Sequence, residues 1–173
     1  KTGMARKNID IDEYKEQLAY RQGKGERIRY FFQNKARSSG GTKRVAFAEG
    51  EEQKVIRAAY QIKEEGIATP VLIGRTSVIE GHLTSLGLDY KPEIVDPATF
   101  NKLEAYAKAF YELRQRKGVM SSDAVKKVQD PNIFGSLMVK MGDADAFVSG
   151  LTYDYPEVIR PALQIHHTAP GAA

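Results

Sequence analysis

The chain has 173 residues, of which 42% are apolar and 28% charged, with a formal net charge of +4 and no cysteine. This balance is typical of a folded domain with its own core and not of a disordered chain, and it excludes disulfides and thiolate chemistry. No apolar run reaches the ~20 residues that a membrane-spanning helix needs, and the polar, charged first residues do not form a signal peptide. We therefore expect a cytoplasmic protein.

The amino-terminal part of the chain is basic. Residues 1–44 contain 12 Lys and Arg against five Asp and Glu, a net charge of +7, whereas the remaining residues have a net charge of −3. A basic arm can indicate a nucleic-acid binder. Here, however, acids interleave with the bases, as is typical of solvated helix faces. We therefore interpret this arm as a structural linker that binds no nucleic acid.

Two short helices are predicted in this arm, followed by a flexible SSGG joint at 38–41. Apolar residues at helical spacing place the helices at 12–20 and 26–35, with Gly23 and Gly25 separating them. The second helix contains two adjacent phenylalanines that such short helices cannot bury alone. We expect these rings to pack on the following domain or on a neighbouring one.

Strands alternate with amphipathic helices in the rest of the chain. The predicted strands are 44–48, 70–74, 93–96 and 146–150. This alternation predicts an α/β fold with three layers, a mostly parallel sheet and right-handed crossovers. An acidic EGEE segment follows the first strand, and we place its acids in the first turn of the next helix, where the helix dipole favours negative charge.

Three helices are predicted between the third and fourth strands. The first opens at 96–97 and ends at Gly118. Ser121 or Ser122 caps the second, and Pro131 starts the third. The inner face of the third helix is predicted to contain Phe134, Leu137, Met138 and Met141.

Two common phosphate-binding motifs and a metal site are not predicted. Neither GxGxxG nor GxxxxGK[ST] occurs, which excludes a dinucleotide fingerprint and a P-loop. His166 and His167 are adjacent, but neighbouring side chains point apart and no further ligands accompany them. We therefore expect no metal ligands in this chain.

Two arginines remain as candidates for binding an anion. Arg114 lies in the basic end of a helix, where it either relieves the helix dipole or leaves the helix face to grip a phosphate. Arg160 lies in the apolar stretch VIRPALQI, and a buried or half-buried arginine needs an anionic partner. Asp154 or Glu157 supplies that partner internally, or an external phosphate does.

Four segments in chain order resemble the phosphotransacetylase family: KRVAFAEGEEQKVIRAA, YELRQRKG, FGSLMVKMGDADAFVSG and IRPALQIHHTAPG. More closely, the chain looks like the carboxy-terminal phosphotransacetylase-like domain of large bacterial NADP-dependent malic enzymes. GMARKNIDIDEYKEQLAYR is similar to the connection that leaves their malic-enzyme domain. The resemblance implies that 1–43 is a helical linker from an upstream catalytic domain. It also implies that 44–173 is the first part of a phosphotransacetylase-like α/β domain.

The resemblance also implies a binding site. The family fold is a pair of α/β subdomains with a cleft, in which true phosphotransacetylases bind coenzyme A and acetyl phosphate. The implied ligand positions are Arg114, Ser149, Gly150, Thr152 and Arg160. In the malic enzymes this domain binds acetyl-CoA as a regulator and helps to build a homo-oligomer. NADP and a divalent metal act in the other domains, where malate is oxidatively decarboxylated to pyruvate.

The chain departs from the acyltransferases in the loop before the second arginine. A TYDYP segment at 152–156 replaces a Ser/Thr-rich loop, and its rings and carboxylate would crowd and repel an acetyl-phosphate dianion. The family segment that holds a Ser-Arg pair and an Asp of the catalytic set has no counterpart here. These departures favour a non-catalytic, acetyl-CoA-binding regulatory and assembly domain of a malic enzyme. The alternatives are a working phosphate acetyltransferase and a purely structural oligomerisation module.

Overall fold

A computed structural model gives the fold for residues 10–21, 24–168 and 171. The strands in this part of the chain are β1 (Arg44–Phe47), β2 (Thr69–Ile73), β3 (Glu93–Val95) and β4 (Ala146–Val148). The helices are α1 (Ile11–Arg21), α2 (Lys24–Ser38), α3 (Gln53–Glu64), α4 (Thr76–Ser85), α5 (Leu103–Arg114), α6 (Ser121–Val128), α7 (Pro131–Lys140) and α8 (Tyr155–His166). A 3₁₀ turn, Gln115–Lys117, follows α5. None of the helices described has the length and apolar character needed to cross a membrane.

The four strands form one parallel sheet in the order β3-β2-β1-β4. Ala46 of β1 lies opposite Val71 of β2 on one side and opposite Phe147 of β4 on the other. The direction in which the chain adds strands therefore reverses between β1 and β4. In open α/β sheets, ligands bind outside the carboxyl ends of the strands at such a switch point. The predicted parallel α/β fold is confirmed.

Helices cover both faces of the sheet, which confirms the three predicted layers. On one face, α3 and α4 pack against Phe47 and Leu72. On the other face, α5 to α8 pack against Ala46, Val71 and Ile73. Successive side chains of a strand point to opposite faces, which is why Ala46 and Phe47 belong to different cores.

Helix α7 approaches the edge strand β4 closely at Gly135. A Cβ atom placed on Gly135 would lie 2.1 Å from Cε2 of the Phe147 ring. Gly135 is buried, and the Phe147 ring packs against the larger core. The spacing between α7 and β4 therefore depends on the absence of a side chain at this position.

Helix α2 is longer than the sequence predicted. It begins at Lys24 and continues through Gly25 to Ser38, so the prediction that Gly25 interrupts the helix was wrong. Glycine costs a helix at most about 1 kcal/mol relative to alanine, which the later turns of α2 offset. Gly23 lies outside the described residues.

Two side chains of α2 form hydrogen bonds with Glu65 of the α/β body. Gln33 donates to the Glu65 carboxylate at 3.1 Å, and Arg37 Nε donates to the Glu65 carbonyl at 2.7 Å. Phe31 and Phe32, however, are 61% and 62% exposed. The following domain therefore does not bury these rings. Their burial by another domain or subunit, and the domain boundary at residue 43, stay predictions.

The start of α5 differs from its predicted position. It begins at Leu103 and not at 96–97. Asp96 explains the difference, because its Oδ1 accepts a hydrogen bond from the Ala98 amide at 2.9 Å and closes a local turn that competes with a helix. The predicted end at Gly118 is confirmed, since Gly118 adopts a φ of 83° after the 3₁₀ turn.

Two smaller predictions about helix ends were also wrong. The residue that precedes α6 is Met120, and no side chain caps this helix, whose first residue is Ser121. Met141 does not belong to the inner face of α7, because the helix ends at Lys140 and the Met141 side chain is 44% exposed.

Candidate anion-binding site at the carboxyl edge of the sheet

The carboxylate of Glu49 lies at the switch point between β1 and β4. Glu49 comes two residues after β1 and is only 8% exposed. Its oxygens accept hydrogen bonds from the amides of Gly150 and Leu151, both at 3.0 Å, and from the Thr152 hydroxyl at 2.8 Å. The Thr152 amide also donates to it. Four donors from the loop after β4 therefore converge on one carboxylate.

Hydrogen bonding decides the charge state of Glu49. Burial by itself raises the pKa of this carboxyl group, but the amides of Leu151, Thr152 and Gly150 and the Thr152 hydroxyl outweigh burial and hold the pKa below its ordinary value. Glu49 is therefore an anion at neutral pH. Glu49 was not predicted from the sequence, because the acids of this segment were expected in the first turn of α3, which begins only at Gln53 and contains no acid there.

The three loop residues implied as ligand positions contact acceptors of the protein itself. Ser149 Oγ donates to Oδ1 of Asn132 at 2.6 Å, and Asn132 is only 1% exposed. Gly150 and Thr152 donate to Glu49. The structure therefore groups these three residues around internal acceptors and not around the two arginines.

Arg114 and Arg160 line one open groove. Arg114 is the last residue of α5, and Arg160 lies in the middle of α8. The groove has a volume of about 460 Å³. Its other lining residues are Tyr155, Pro156, Ile159, Leu163 and Gln164. Within the described residues, neither arginine has a hydrogen bond or an ion pair. Two such guanidinium groups on one groove are suited to bind a phosphate or a carboxylate.

The acids nearest to Arg160 in sequence do not neutralise it. The Asp154 amide donates to the Glu157 carboxylate at 2.8 Å, which closes the first turn of α8. Arg160 is exposed and not buried, and it pairs with neither acid in the part of the chain that the structure describes. The predicted internal pairing was therefore wrong, because an exposed guanidinium is solvated and does not require it. The other predicted partner, an external anion, stays a prediction.

A smaller cavity of about 200 Å³ shares Arg160 with the groove. Asp130, Glu157 and Tyr153 are among the residues that line it. Burial raises the pKa of the Tyr153 hydroxyl, and the carboxylate of Asp130 adds to this effect, so the hydroxyl stays neutral. Because the two carboxylates repel an anion, we expect a phosphate to lie in the groove with Arg114 and not in this cavity.

Glu51, a second acid of the EGEE segment, binds Arg75, which lies two residues after the end of β2. Glu51 accepts hydrogen bonds from the Arg75 amide and Nε, both at 2.9 Å, and from the terminal nitrogen Nη2 at 2.6 Å. The Arg75 side chain thereby lowers the pKa of Glu51 to about 2. Glu49 and Glu51 therefore both form hydrogen bonds with loops at the carboxyl edge of the sheet, Glu49 with the loop after β4 and Glu51 with the loop after β2. An acid-rich turn directly after a buried parallel strand is the sequence signal that points to this arrangement.

The first of the two adjacent histidines links two helices. Nε2 of His166 donates to the Ser136 carbonyl at 3.0 Å, which links α8 to α7. Among residues 10–21, 24–168 and 171, no group of three His, Asp or Glu side chains is placed to hold a metal ion.

The chain is similar to parts of longer known proteins. A phosphotransacetylase from Streptococcus pyogenes superimposes with a TM-score of 0.73 and 36% identity, over 78% of this chain and 41% of that one. A phosphate acetyltransferase of Clostridium acetobutylicum is 44% identical over 75% of this chain and 39% of the relative. A probable NADP-dependent malic enzyme of Rickettsia prowazekii is 36% identical over 95% of this chain and 22% of the relative. The chain thus spans about two fifths of these relatives or less.

A family model also matches most of the chain. The model described as phosphate acetyl/butaryl transferase matches residues 29–173. The matched range contains all four described strands, the Glu49 carboxylate with its loop, and both groove arginines. The chain therefore belongs to the phosphate acetyl/butaryl transferase family.

Proposed function

We propose that the groove between α5 and α8 binds the phosphate of an acyl substrate in a phosphate acetyltransferase reaction. The observation that carries this proposal is the placement of Arg114 and Arg160 on one groove, with no internal acceptor among the described residues. Two relatives named phosphate acetyltransferase, from Clostridium acetobutylicum and Thermoanaerobacterium thermosaccharolyticum, share 44% and 41% identity with the chain and support it.

In this reaction the thiol sulfur of coenzyme A attacks the carbonyl carbon of acetyl phosphate. The bond from that carbon to the phosphate oxygen breaks, phosphate leaves, and the thiol proton passes to solvent or to the released phosphate. Arg114 and Arg160 would hold the phosphate and stabilise the charge that grows on it as it leaves. Glu49 would act only through the loop that it holds.

The direct test is an assay for acetyl-CoA with the full-length protein, acetyl phosphate and coenzyme A. We expect thioester to form in proportion to enzyme concentration, and phosphate to be released in equal amount. A pure, folded protein that forms no acetyl-CoA over the background rate would contradict the transferase proposal.

A second candidate is the regulatory domain of an NADP-dependent malic enzyme, which the TYDYP loop at 152–156 favours. It is supported by the Rickettsia prowazekii relative, whose alignment covers 95% of this chain, including residues before the start of the family match at residue 29. The relatives favour the transferase more strongly, because phosphate acetyltransferases match at up to 44% identity against 36%.

Malate turnover separates the two candidates. If the second is correct, the full-length protein reduces NADP with malate, and acetyl-CoA changes the rate by binding two enzyme states unequally. That response should disappear in Arg160→Ala. A protein that shows no malate-dependent NADP reduction is not a malic enzyme.

We further propose that the exposed face of α2 contributes to a homo-oligomer. Ile28, Phe31 and Phe32 are between 57% and 62% exposed on this face, which is costly for side chains of this kind in a monomer. Phe31→Glu with Phe32→Glu should lower the particle mass measured by light scattering. Val125→Glu, on the exposed side of α6, is the control and should leave it unchanged. An unchanged mass in the double variant would rule this contact out.

A further inference from the structure

Three polar side chains are buried in the described part of the chain, and two of them hold the same loop. They are Glu49, Asn132 and Ser136. Glu49 accepts hydrogen bonds from amides of the loop after β4, and Oδ1 of Asn132 accepts one from the Ser149 hydroxyl of that loop at 2.6 Å. Burial of a polar side chain costs free energy that its hydrogen bonds must offset. Their placement therefore points to a loop whose position matters.

Helix α8, which follows this loop, is hydrogen-bonded to α7 near both of its ends. Before its start, Ser149 donates to Asn132. At its end, His166 donates to the Ser136 carbonyl at 3.0 Å. Asn132 and Ser136 are four residues apart and so lie on one face of α7, and the Ser136 hydroxyl donates to the Asn132 carbonyl at 2.8 Å. The bonds at the two ends of α8 thus belong to one connected set.

These hydrogen bonds fix a position that the apolar core leaves free. Pro161 and Ile165 bury the inner face of α8, but apolar attraction has no preferred direction and lets a helix shift along the surface that it covers. Hydrogen bonds have narrow limits of distance and angle. Arg160 lies between the two bonded ends of α8. The placement of its guanidinium relative to Arg114 therefore depends on these bonds.

We propose that Asn132 is a positioning residue: through Ser149 it fixes the loop after β4 and the start of α8, so that Arg160 meets the phosphate in the geometry of the reaction. Asn132 acts through Ser149 and does not itself contact the substrate. The inference rests on the proposed function, because it assigns a phosphate to Arg160. A displacement of about 1 Å caused far from the reacting atoms can slow a reaction about 100-fold. One buried amide is therefore sufficient for a large effect on rate.

The experiment compares Asn132→Leu with Ser136→Ala in the acetyl-CoA assay of the full-length protein. Leucine has nearly the shape of asparagine but no acceptor for the Ser149 hydroxyl. Ser136→Ala is the matched control, because it removes an equally buried hydroxyl from α7 but leaves the Asn132 side chain bonded to Ser149. Asn132→Leu should lower kcat about 10- to 100-fold and keep the KM for coenzyme A within about threefold of the wild type. Ser136→Ala should keep kcat within about twofold.

Ser149 variants test the same bond from its half-buried side, where a substitution puts folding at less risk. Ser149→Ala removes the donor and should lower kcat as much as Asn132→Leu does. Ser149→Thr keeps a hydroxyl and should retain most of the wild-type rate. Because Asn132→Leu and Ser149→Ala break one and the same bond, the double variant should be no slower than either single variant.

The outcomes separate this inference from the proposed function. If the wild type is active and Asn132→Leu has the same kcat as Ser136→Ala, the positioning role is wrong and the proposed function stands. Losses that multiply in the double variant would also overturn the role, because Ser149 would then act on the substrate independently of Asn132. If Asn132→Leu does not fold, the contrast between Ser149→Ala and Ser149→Thr decides, and equal rates in these two variants would overturn the role. A wild type that forms no acetyl-CoA contradicts the proposed function and this role together.

Discussion

Replacing Glu49 with alanine is expected to lower the free energy of unfolding by about 2–4 kcal/mol. The carboxylate accepts four hydrogen bonds from the loop residues Gly150, Leu151 and Thr152, and these donors lose their acceptor together. Gly150 and Thr152 are themselves exposed, so water can hydrate part of the released donors. For that reason the expected loss of stability is smaller than the summed cost of four buried donors without an acceptor. Denaturant titration of the variant measures it.

The control for this variant is Glu52→Ala in the same acidic segment. Glu52 is exposed, and its side chain makes no capping hydrogen bond with α3. We expect its removal to change stability by less than about 0.5 kcal/mol. If Glu49→Ala and Glu52→Ala unfold at the same denaturant concentration, the role assigned to Glu49 is wrong.

The effect of Glu49 depends on pH in a defined direction. Its pKa in the folded protein lies below the ordinary value of 4.5, so the unfolded chain binds the proton more readily. The stability that Glu49 provides is therefore complete above about pH 4.5 and is lost as the pH falls through the folded pKa. The stability difference between wild type and Glu49→Gln should be constant from pH 6 to 8 and should shrink in acid. A difference that grows in acid would contradict the direction of the pKa shift.

Gly135→Ala is expected to destabilise the protein strongly, although it adds only one methyl group. Alanine normally stabilises a helix by up to about 1 kcal/mol relative to glycine. At this position the new Cβ would lie 2.1 Å from the Phe147 ring, so α7 or β4 must move. Overpacking of a buried site costs about 1–3 kcal/mol and sometimes more. The cost of the clash therefore exceeds the gain in helix propensity, and we expect a net loss of about 2 kcal/mol, the upper end of the overpacking cost less that gain.

Gly81→Ala is the matched control for this substitution. Gly81 also lies within a helix, α4, but a Cβ atom there meets nothing within 4 Å. It should therefore stabilise the protein by about 0.5–1 kcal/mol. Replacing the Phe147 ring with the smaller leucine, in the double variant Gly135→Ala, Phe147→Leu, should recover part of the stability that Gly135→Ala loses. Equal stability of Gly81→Ala and Gly135→Ala in thermal unfolding would show that α7 and β4 are not in close contact at Gly135.

The sequence predicted the layers of the fold well and the segment ends poorly, for a physical reason. Apolar periodicity reports which face of an element is buried, so α3 could be located from residues such as Ile56 and Ala59, which are both fully buried. Helix ends depend on single side-chain bonds. The Asp96 turn, which delays α5 to Leu103, is a bond of this kind.

The candidate site was also predicted only in part. The residue types of Arg114 and Arg160 suggested anion binding, but their meeting on one groove results from the packing of α5 and α8 and could be expected only from family resemblance. Glu49 was misassigned because its partners lie about 100 residues further along the chain, in the 150–152 loop. Contacts of this range depend on the strand order, which local sequence patterns do not determine.

The central claim is that Arg114 and Arg160 bind the same anionic ligand, and a double-mutant cycle tests it most directly. The affinity of the full-length protein for acetyl phosphate, whose phosphate the two arginines are proposed to hold, would be measured by calorimetry for Arg114→Ala, Arg160→Ala and the double variant. Arg116→Ala serves as the control, since Arg116 lies in the adjoining 3₁₀ turn but does not line the groove. We predict that each single variant weakens binding at least about tenfold and that the two effects are coupled by more than about 0.5 kcal/mol. Affinities unchanged from the wild type, or losses that simply add, would contradict a shared ligand.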